Sequence, residues 1–274
     1  MQVISVNPEL CTNCDVCVEL CPMSIILPSE EGGTPYSPEE ATVYCSKCGH
    51  CEVFCPEGAI STLFDSTYYQ FQDDSPSSLT PSEIGKYMVM RRSVRNYKDE
   101  KVEKSTIEEI LDIARYAPSG MNNQPVHWTI VHNPEEVKKI TSLTIDWMRE
   151  VVADDIEHPL KPLMPTLISV YENGSDPICR GALHLAFAHA EAENPTGYTD
   201  SIIALSWFEL AAQAFDIGAC WAGFLAIAAT SYQPLIDELD LPQEHVVQYS
   251  MMFGHPDHKV NGIPGREPVR VNWK

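Results

Sequence analysis

The sequence predicts an α+β protein in two unequal parts, and three observations carry that prediction. Eight of the ten cysteines fall into one spacing written twice within the first sixty residues. A strongly polar stretch follows them, and beyond it helix and strand signals alternate without a dinucleotide or P-loop glycine pattern. The first part is expected over residues 1–64, a linker over 65–80 and the second part over 81–274. About two hundred residues in the second part can enclose a sizeable core of their own.

In the first part, residues 2–6 alternate in strand fashion, and 25–27 and 60–63 read as further short strands beside the cysteines. Residues 28–40, rich in Pro, Glu, Ser and Gly, form a loop between two repeated halves. In the second part, Thr80-Pro81-Ser82-Glu83 is a capping box with proline at the first helical position, which predicts a helix to about Arg91. Ser105 to Glu108 repeats the signal, and Ile107, Ile110, Leu111 and Ala114 then share one face before Pro118. A strand over 126–131 and a helix over 134–152 follow. Residues 154–177 are proline-rich and aperiodic, so they read as a surface excursion. Strands are expected over 183–188 and 246–253, with an irregular tail over 259–274. Between the strands, 198–217 is a helix apolar on nearly every face, ended by Gly218; Trp207, Phe208 and Phe215 are assigned to its core contacts.

The cysteine pattern is C-x2-C-x2-C-x3-C-P, first as Cys11, Cys14, Cys17 and Cys21 before Pro22, then as Cys45, Cys48, Cys51 and Cys55 before Pro56. Two other readings compete. A disulfide framework belongs with secretion, and the first residues carry neither a basic region nor an apolar core of signal-peptide length. Zinc sites favour paired C-x2-C half-sites and seldom need a third cysteine at the same spacing with a distant fourth. Iron-sulfur cubes need four thiolates converging on a small volume, and the doubled spacing supplies them twice. At these positions the segment resembles a bacterial 2x4Fe-4S ferredoxin. That resemblance implies crossed ligation, one cluster held by Cys11, Cys14, Cys17 and Cys55, the other by Cys45, Cys48, Cys51 and Cys21. His50 stands among these positions, but cysteines already fill all eight.

Three of the eight arginines lie within five residues at Arg91, Arg92 and Arg95, around Ser93. Arginine forks match phosphate geometry with paired hydrogen bonds, although cations at a helix end also complement the macrodipole without any ligand. The residues downstream bear on that choice. Tyr97, then Ala117-Pro118-Ser119 with Asn122, Gln124 and Pro125, then Gly218-Ala219-Cys220-Trp221-Ala222-Gly223-Phe224, Gly254-His255-Pro256 and Ile263-Pro264-Gly265-Arg266-Glu267-Pro268, together resemble the FMN-dependent nitroreductase family from about residue 83 to the end.

The resemblance implies a ferredoxin-like two-cluster domain followed by a nitroreductase-like α+β flavin domain. It places Arg91, Arg92 and Arg266 at the FMN phosphate and ribityl chain, with Ser93 as a hydroxyl donor and Arg95 near the polar edge of the ring. Pro118, Ser119 and Asn122 would come from the neighbouring subunit of a homodimer, with Gln124 holding the turn. The N–H groups of Ala222 and Gly223 would face flavin N5 and O4. The family's usual Ala-Pro pair stands here as Ala182-Leu183, and 154–177 has no counterpart. No catalytic side chain is assigned, because hydride transfer belongs to the flavin. Cys179 and Cys220 read as small buried hydrophobes, and His184 and His189, five apart, read as a pair that cannot share one metal.

The formal net charge of -21 disfavours nucleic acid and anionic membrane surfaces as partners. The richest apolar stretch, 202–229, is interrupted by Ser206, Glu209 and Asp216 and does not read as a membrane span. A cytoplasmic oxidoreductase is expected, moving electrons between 4Fe-4S clusters and FMN to reduce a small nitroaromatic or quinone-like substrate, with ferredoxin or NAD(P)H as donor. The alternative is an electron-transfer module that docks a redox partner and turns over no substrate of its own.

Overall fold

A computed structural model describes residues 3–28, 33–64, 79–154 and 156–274. The chain divides into two units, Met1–Asp73 with Gly120–Asn123, and Asp74–Ser119 with Gln124–Lys274. Most of the expected linker, 65–78, lies outside the described residues, as do Gln2 and positions 29–32 of the expected loop.

The head pairs β1 (Ile4–Val6) antiparallel with a later strand through Ile4↔Thr62 and Val6↔Ile60; between them come α1 (Val16–Leu20) and α2 (His50–Val53), and β2 (Ile60–Thr62) closes the sheet. Its core is small: Ile4, Cys17, Ile25, Ile26 and Ile60. Residues 25–27 do not form the expected strand. Ile25 and Ile26 turn into that core, and only Leu27 pairs, bridging to Tyr36. The two halves repeat in backbone as well as in sequence, since the left-handed residues Asn13, Asp15 and Ser24 recur 34 positions later as Lys47, Gly49 and Gly58.

In the body, α3 (Pro81–Met90) begins with the expected capping box: Thr80 Oγ1 accepts from the Glu83 amide, and Glu83 accepts from the Thr80 amide at 2.8 Å. The next helix, α4 (Lys104–Ala114), starts one residue before the predicted box, and no side chain caps it. Its predicted stripe is buried at Ile107, Ile110 and Ala114. A four-stranded antiparallel sheet in the order β3-β4-β6-β5 divides the core into two clusters. β3 (His127–Val131) leads into α5 (Pro134–Ala153), capped by Asn133 and proline at its first turn.

The proline-rich excursion is ordered: after a 3-10 turn at Lys161–Leu163, α6 (Met164–Glu172) packs on α5 and buries Met164 completely. Proline was the misleading signal, because at the first turn of a helix it costs no hydrogen bond. β4 (His184–Glu191) is one of the two interior strands, with seven consecutive buried residues. Helix α7 (Gly197–Ala214) follows, but it ends at Phe215 and a left-handed Asp216 instead of at Gly218. β5 (Gly218–Trp221), α8 (Gly223–Ser231) and α9 (Gln233–Leu239) come next, none of which the sequence signals resolved, and β6 (His245–Gly254) completes the sheet. Along α7, Leu205 and Phe208 are fully buried and Phe215 is partly so. Trp207, expected in the core, is 38% exposed, because α7 turns that face outward.

Among the described residues, no helix is long and apolar enough to cross a membrane.

Candidate redox and cofactor site

The eight head cysteines sort into two hollows. Cys11, Cys14 and Cys17 line one together with Cys55; Cys45, Cys48 and Cys51 line the other together with Cys21. Each hollow therefore takes three sulfurs from one half of the repeat and its fourth from the other. The left-handed residues between the ligands supply the tight wrap, and main-chain amides reach sulfur from Lys47 to Cys45 at 3.4 Å and from Ala59 to Cys55 at 3.2 Å. Four soft sulfurs round one hollow fit an iron-sulfur cube, in which each thiolate binds its own iron. His50 lines the second hollow and meets Phe54 edge-on at 5.7 Å.

In the body, three elements meet at a cleft of about 540 Å3, within the range of small-molecule pockets. α3 ends at Arg91, which turns extended and carries Arg92 into the cleft. The arginine run is fixed to β5 by the Val94 amide on the Ala219 carbonyl at 3.0 Å, and to the end of β6 by the Lys98 amide on His255 at 2.9 Å. Gly218 permits this approach: a Cβ there would lie 2.5 Å from Val94 Cγ2. Tyr97 seals the corner, donating to the Val94 carbonyl at 2.6 Å, and burial pushes its phenol far up, so it stays protonated.

The cleft is cationic in an acidic protein. Arg91, Arg92, Lys98 and Lys259 line it with His255 and His258, against Glu209 and Asp216. Arg91 Nη1 donates to Glu209 at 2.8 Å, while Arg92 donates to the Arg91 carbonyl and leaves its other terminal nitrogen, Nη2, buried without a partner. A buried guanidinium nitrogen lacking an acceptor fits a site built for an anion. Sequence reasoning missed Lys98, His258, Lys259 and Glu209. Glu209 had a signal, since a carboxylate set among apolar helix neighbours needs a partner.

The other expected residues distribute as follows. Ser93 lies by Cys220, where its hydroxyl and the Arg95 guanidinium counter the burial that pushes that thiol up. Arg95 is exposed, its Nη1 at 3.4 Å from the Ser93 carbonyl. Ala222 is fully engaged by Ser250, which accepts from the Ala222 amide at 3.0 Å and donates its hydroxyl to the Ala222 carbonyl at 3.1 Å. The Ala222 N–H is therefore used within the protein, and the Gly223 N–H at the start of α8 is the one left for a ligand. Ser119 Oγ accepts from the Gln124 amide at 3.0 Å and closes a turn in which Met121, Asn122 and Gln124 are all left-handed, beside an exposed Pro118. Asn122 groups with the head, donating to the carbonyls of Ser46 and Lys47 at 3.0 and 3.1 Å. Arg266 sits in the exposed tail and donates to the Gly265 carbonyl at 2.9 Å; it does not line the cleft with Arg91 and Arg92.

Paired thiol hollows on one unit and an anion-suited cleft on an antiparallel α+β body define a two-part redox protein. The chain belongs to the nitroreductase family: the family's sequence model matches residues 88–255, and a 4Fe-4S dicluster domain matches residues 10–60. It is 28% identical to a putative NADH dehydrogenase/NAD(P)H nitroreductase of Methanothermobacter thermautotrophicus over 66% of this chain and 82% of that one. It is 26% identical to an FMN reductase [NAD(P)H] of Bacillus subtilis over 70% of this chain and 73% of that one. In fold it is similar to an FMN-bound nitroreductase of Desulfitobacterium hafniense DCB-2, at a TM-score of 0.55 and 19% identity, covering 69% of this chain and 97% of that chain.

Proposed function

We propose that the protein is an FMN-dependent oxidoreductase in which two 4Fe-4S clusters exchange single electrons with the flavin, and the flavin exchanges two with a small nitroaromatic or quinone-like substrate. The observation that carries the reading is the cationic cleft with the unpartnered Arg92 nitrogen, in a family member that also carries a dicluster head. FMN, when bound, supplies the conversion between one-electron and two-electron transfer. The protein's own groups bind and orient. Arg91 and Arg92 hold the phosphate, and Arg92 Nη2 gains the acceptor it lacks. Gly223 offers its N–H to the polar edge of the ring, and Ser250 keeps the turn before it rigid. Cys11, Cys14, Cys17 and Cys55 hold one cluster, and Cys21, Cys45, Cys48 and Cys51 the other.

A homodimer accompanies this reading. Ile84, Met88 and Val89 of α3 are 45%, 51% and 49% exposed, and Trp273 in the tail is 90% exposed, so a second copy has apolar surface to cover. Pro118 and Ser119 complete the flavin site from that copy. Light scattering should give twice the mass of 30.6 kDa; a monomer that binds FMN fully removes the dimer from the proposal.

Two experiments test the flavin and donor assignments. Arg92→Ala should weaken FMN by about tenfold to a hundredfold, on the order of 1.5–3 kcal/mol for a charge-assisted hydrogen bond, while riboflavin binding stays unchanged. Reduced ferredoxin should bleach the cluster absorbance before the flavin absorbance in stopped flow. A Cys11→Ala, Cys45→Ala protein should lose that route and keep any direct reduction by NAD(P)H. If NAD(P)H reduces FMN fast and ferredoxin works equally well without clusters, the clusters are not the electron entry.

A further inference from the structure

We propose that His127, His189 and His245 form a binding site for a divalent transition ion of the zinc class, at the rim of the body's sheet and separate from the cofactor cleft. The strands bring the three imidazoles together. His127 on β3 is the register partner of His189 on β4, and His245 opens β6, the other neighbour of β4, where the ladder shifts between Ala188 and His189.

The ring centres are 4.7 Å apart for His127 and His245, 5.1 Å for His189 and His245, and 5.8 Å for His127 and His189. Zinc-nitrogen bonds of about 2.0–2.1 Å place imidazole centres about 3.2 Å from the ion, and hence about 5.2 Å from one another at the tetrahedral angle. The observed triangle brackets that value. His189 Nδ1 and His245 Nδ1 already face each other at 2.9 Å, sharing one proton between two lone pairs. Two nitrogens on one tetrahedral zinc lie about 3.3 Å apart, so a small opening replaces the proton by the ion.

On its far side, His189 Nε2 lies 3.2 Å from Thr129 Oγ1. With Nδ1 on the metal, Nε2–H donates to that hydroxyl, the outer contact that fixes ring orientation in metal-binding histidines. Among the described residues, no group of three or more His, Cys, Asp or Glu side chains is arranged to hold a metal ion as it stands, so the three rings have to shift to close on one. His127 closes the set: it is exposed and turns in, while His189 is 2% exposed and fixed. Three neutral imidazoles suit zinc, copper and nickel, with water in the open position.

The test is calorimetric titration of the untagged, anaerobically purified full-length protein with Zn2+, alongside His127→Ala and His245→Ala. His127→Ala removes an exposed side chain and leaves the fold intact. One ion per chain is expected, weakened at least about tenfold in each variant at unchanged flavin and cluster absorbance. Co2+ should give visible bands of a four-coordinate site without sulfur charge transfer. No binding, binding that both variants retain, or a Co2+ spectrum dominated by sulfur overturns the proposal, and none of these outcomes touches the FMN or cluster assignments.

Discussion

Glu209 of α7 and Arg91 at the end of α3 meet at 2.8 Å, and the second carboxylate oxygen accepts the indole N–H of Trp221 at 3.2 Å. The carboxylate is 7% exposed and sits on a helix whose buried positions are mostly apolar, with Asp200 and Ser201 near its start the other buried polar groups. One buried anion thus joins the arginine run to the strand that leads into the Gly223 turn.

Removing that anion should destabilise the body. Glu209→Ala leaves a partly buried guanidinium and a Trp221 N–H without partners, at about 1–3 kcal/mol. Glu209→Gln should recover part of the loss, because its amide oxygen still accepts from Trp221. Thermal unfolding of the two variants decides this, and equal melting of Glu209→Ala and wild type would refute it.

The shared hollows predict where cysteine damage appears. Cys21→Ala should impair the cluster served by Cys45, Cys48 and Cys51, and spare the one served by the sequence neighbours of Cys21. Iron and sulfide analysis with cluster spectroscopy of the anaerobic variant reads this out. Loss confined to the Cys11 cluster contradicts the crossing.

Stability should fall in mild acid. His184 is fully buried, stacked 4.6 Å from His132, and its Nε2 accepts from the Val102 amide at 2.9 Å. Burial, then His132, lowers its pKa from 6.5 to about 4. Because the folded value is the lower one, the unfolded chain binds the extra proton between the two. The stabilisation is complete above about pH 6.5 and is lost as pH falls toward about 4, at up to about 1.4 kcal/mol per pH unit. Urea midpoints compared near pH 7 and pH 5 should drop less for His184→Gln than for wild type.

Two thiols outside the head should be inert. Burial pushes Cys179 up to about 12, even though the Thr141 hydroxyl donates to its sulfur at 3.1 Å, and Cys220 is 2% exposed and raised as well. Iodoacetamide treatment of the native protein with its clusters intact should label neither by mass spectrometry. Rapid labelling of Cys179 would show that its pocket opens.

What the sequence made legible follows from how local each signal is. The Thr80–Glu83 box depends on spacing alone and appears as read, and the eight cysteines, also picked out by spacing, line two hollows. β4 was cut short because a strand covered on both faces has no alternation to mark its end. α6 was hidden by prolines that stand where a helix tolerates them. In the cleft, Arg91 and Arg92 were visible as a charge cluster. Lys98, His258 and Lys259 were not, since only the pairing of the arginine run with the end of β6 gathers them. The engagement of the Ala222 amide by Ser250 is likewise a long-range pairing that no local pattern announces.

The position of Cys55 beside Cys11, Cys14 and Cys17 also has a consequence for biosynthesis. Those three cysteines emerge from the ribosome well before the fourth wall of their hollow exists. At about 5–20 residues per second, the interval between Cys17 and Cys55 is roughly 2–8 s, during which three thiols stand bare. Under the proposed ligation neither half could be finished alone, so iron delivery to the nascent head would have to wait for its last residues, and oxygen during translation would threaten both proposed centres together.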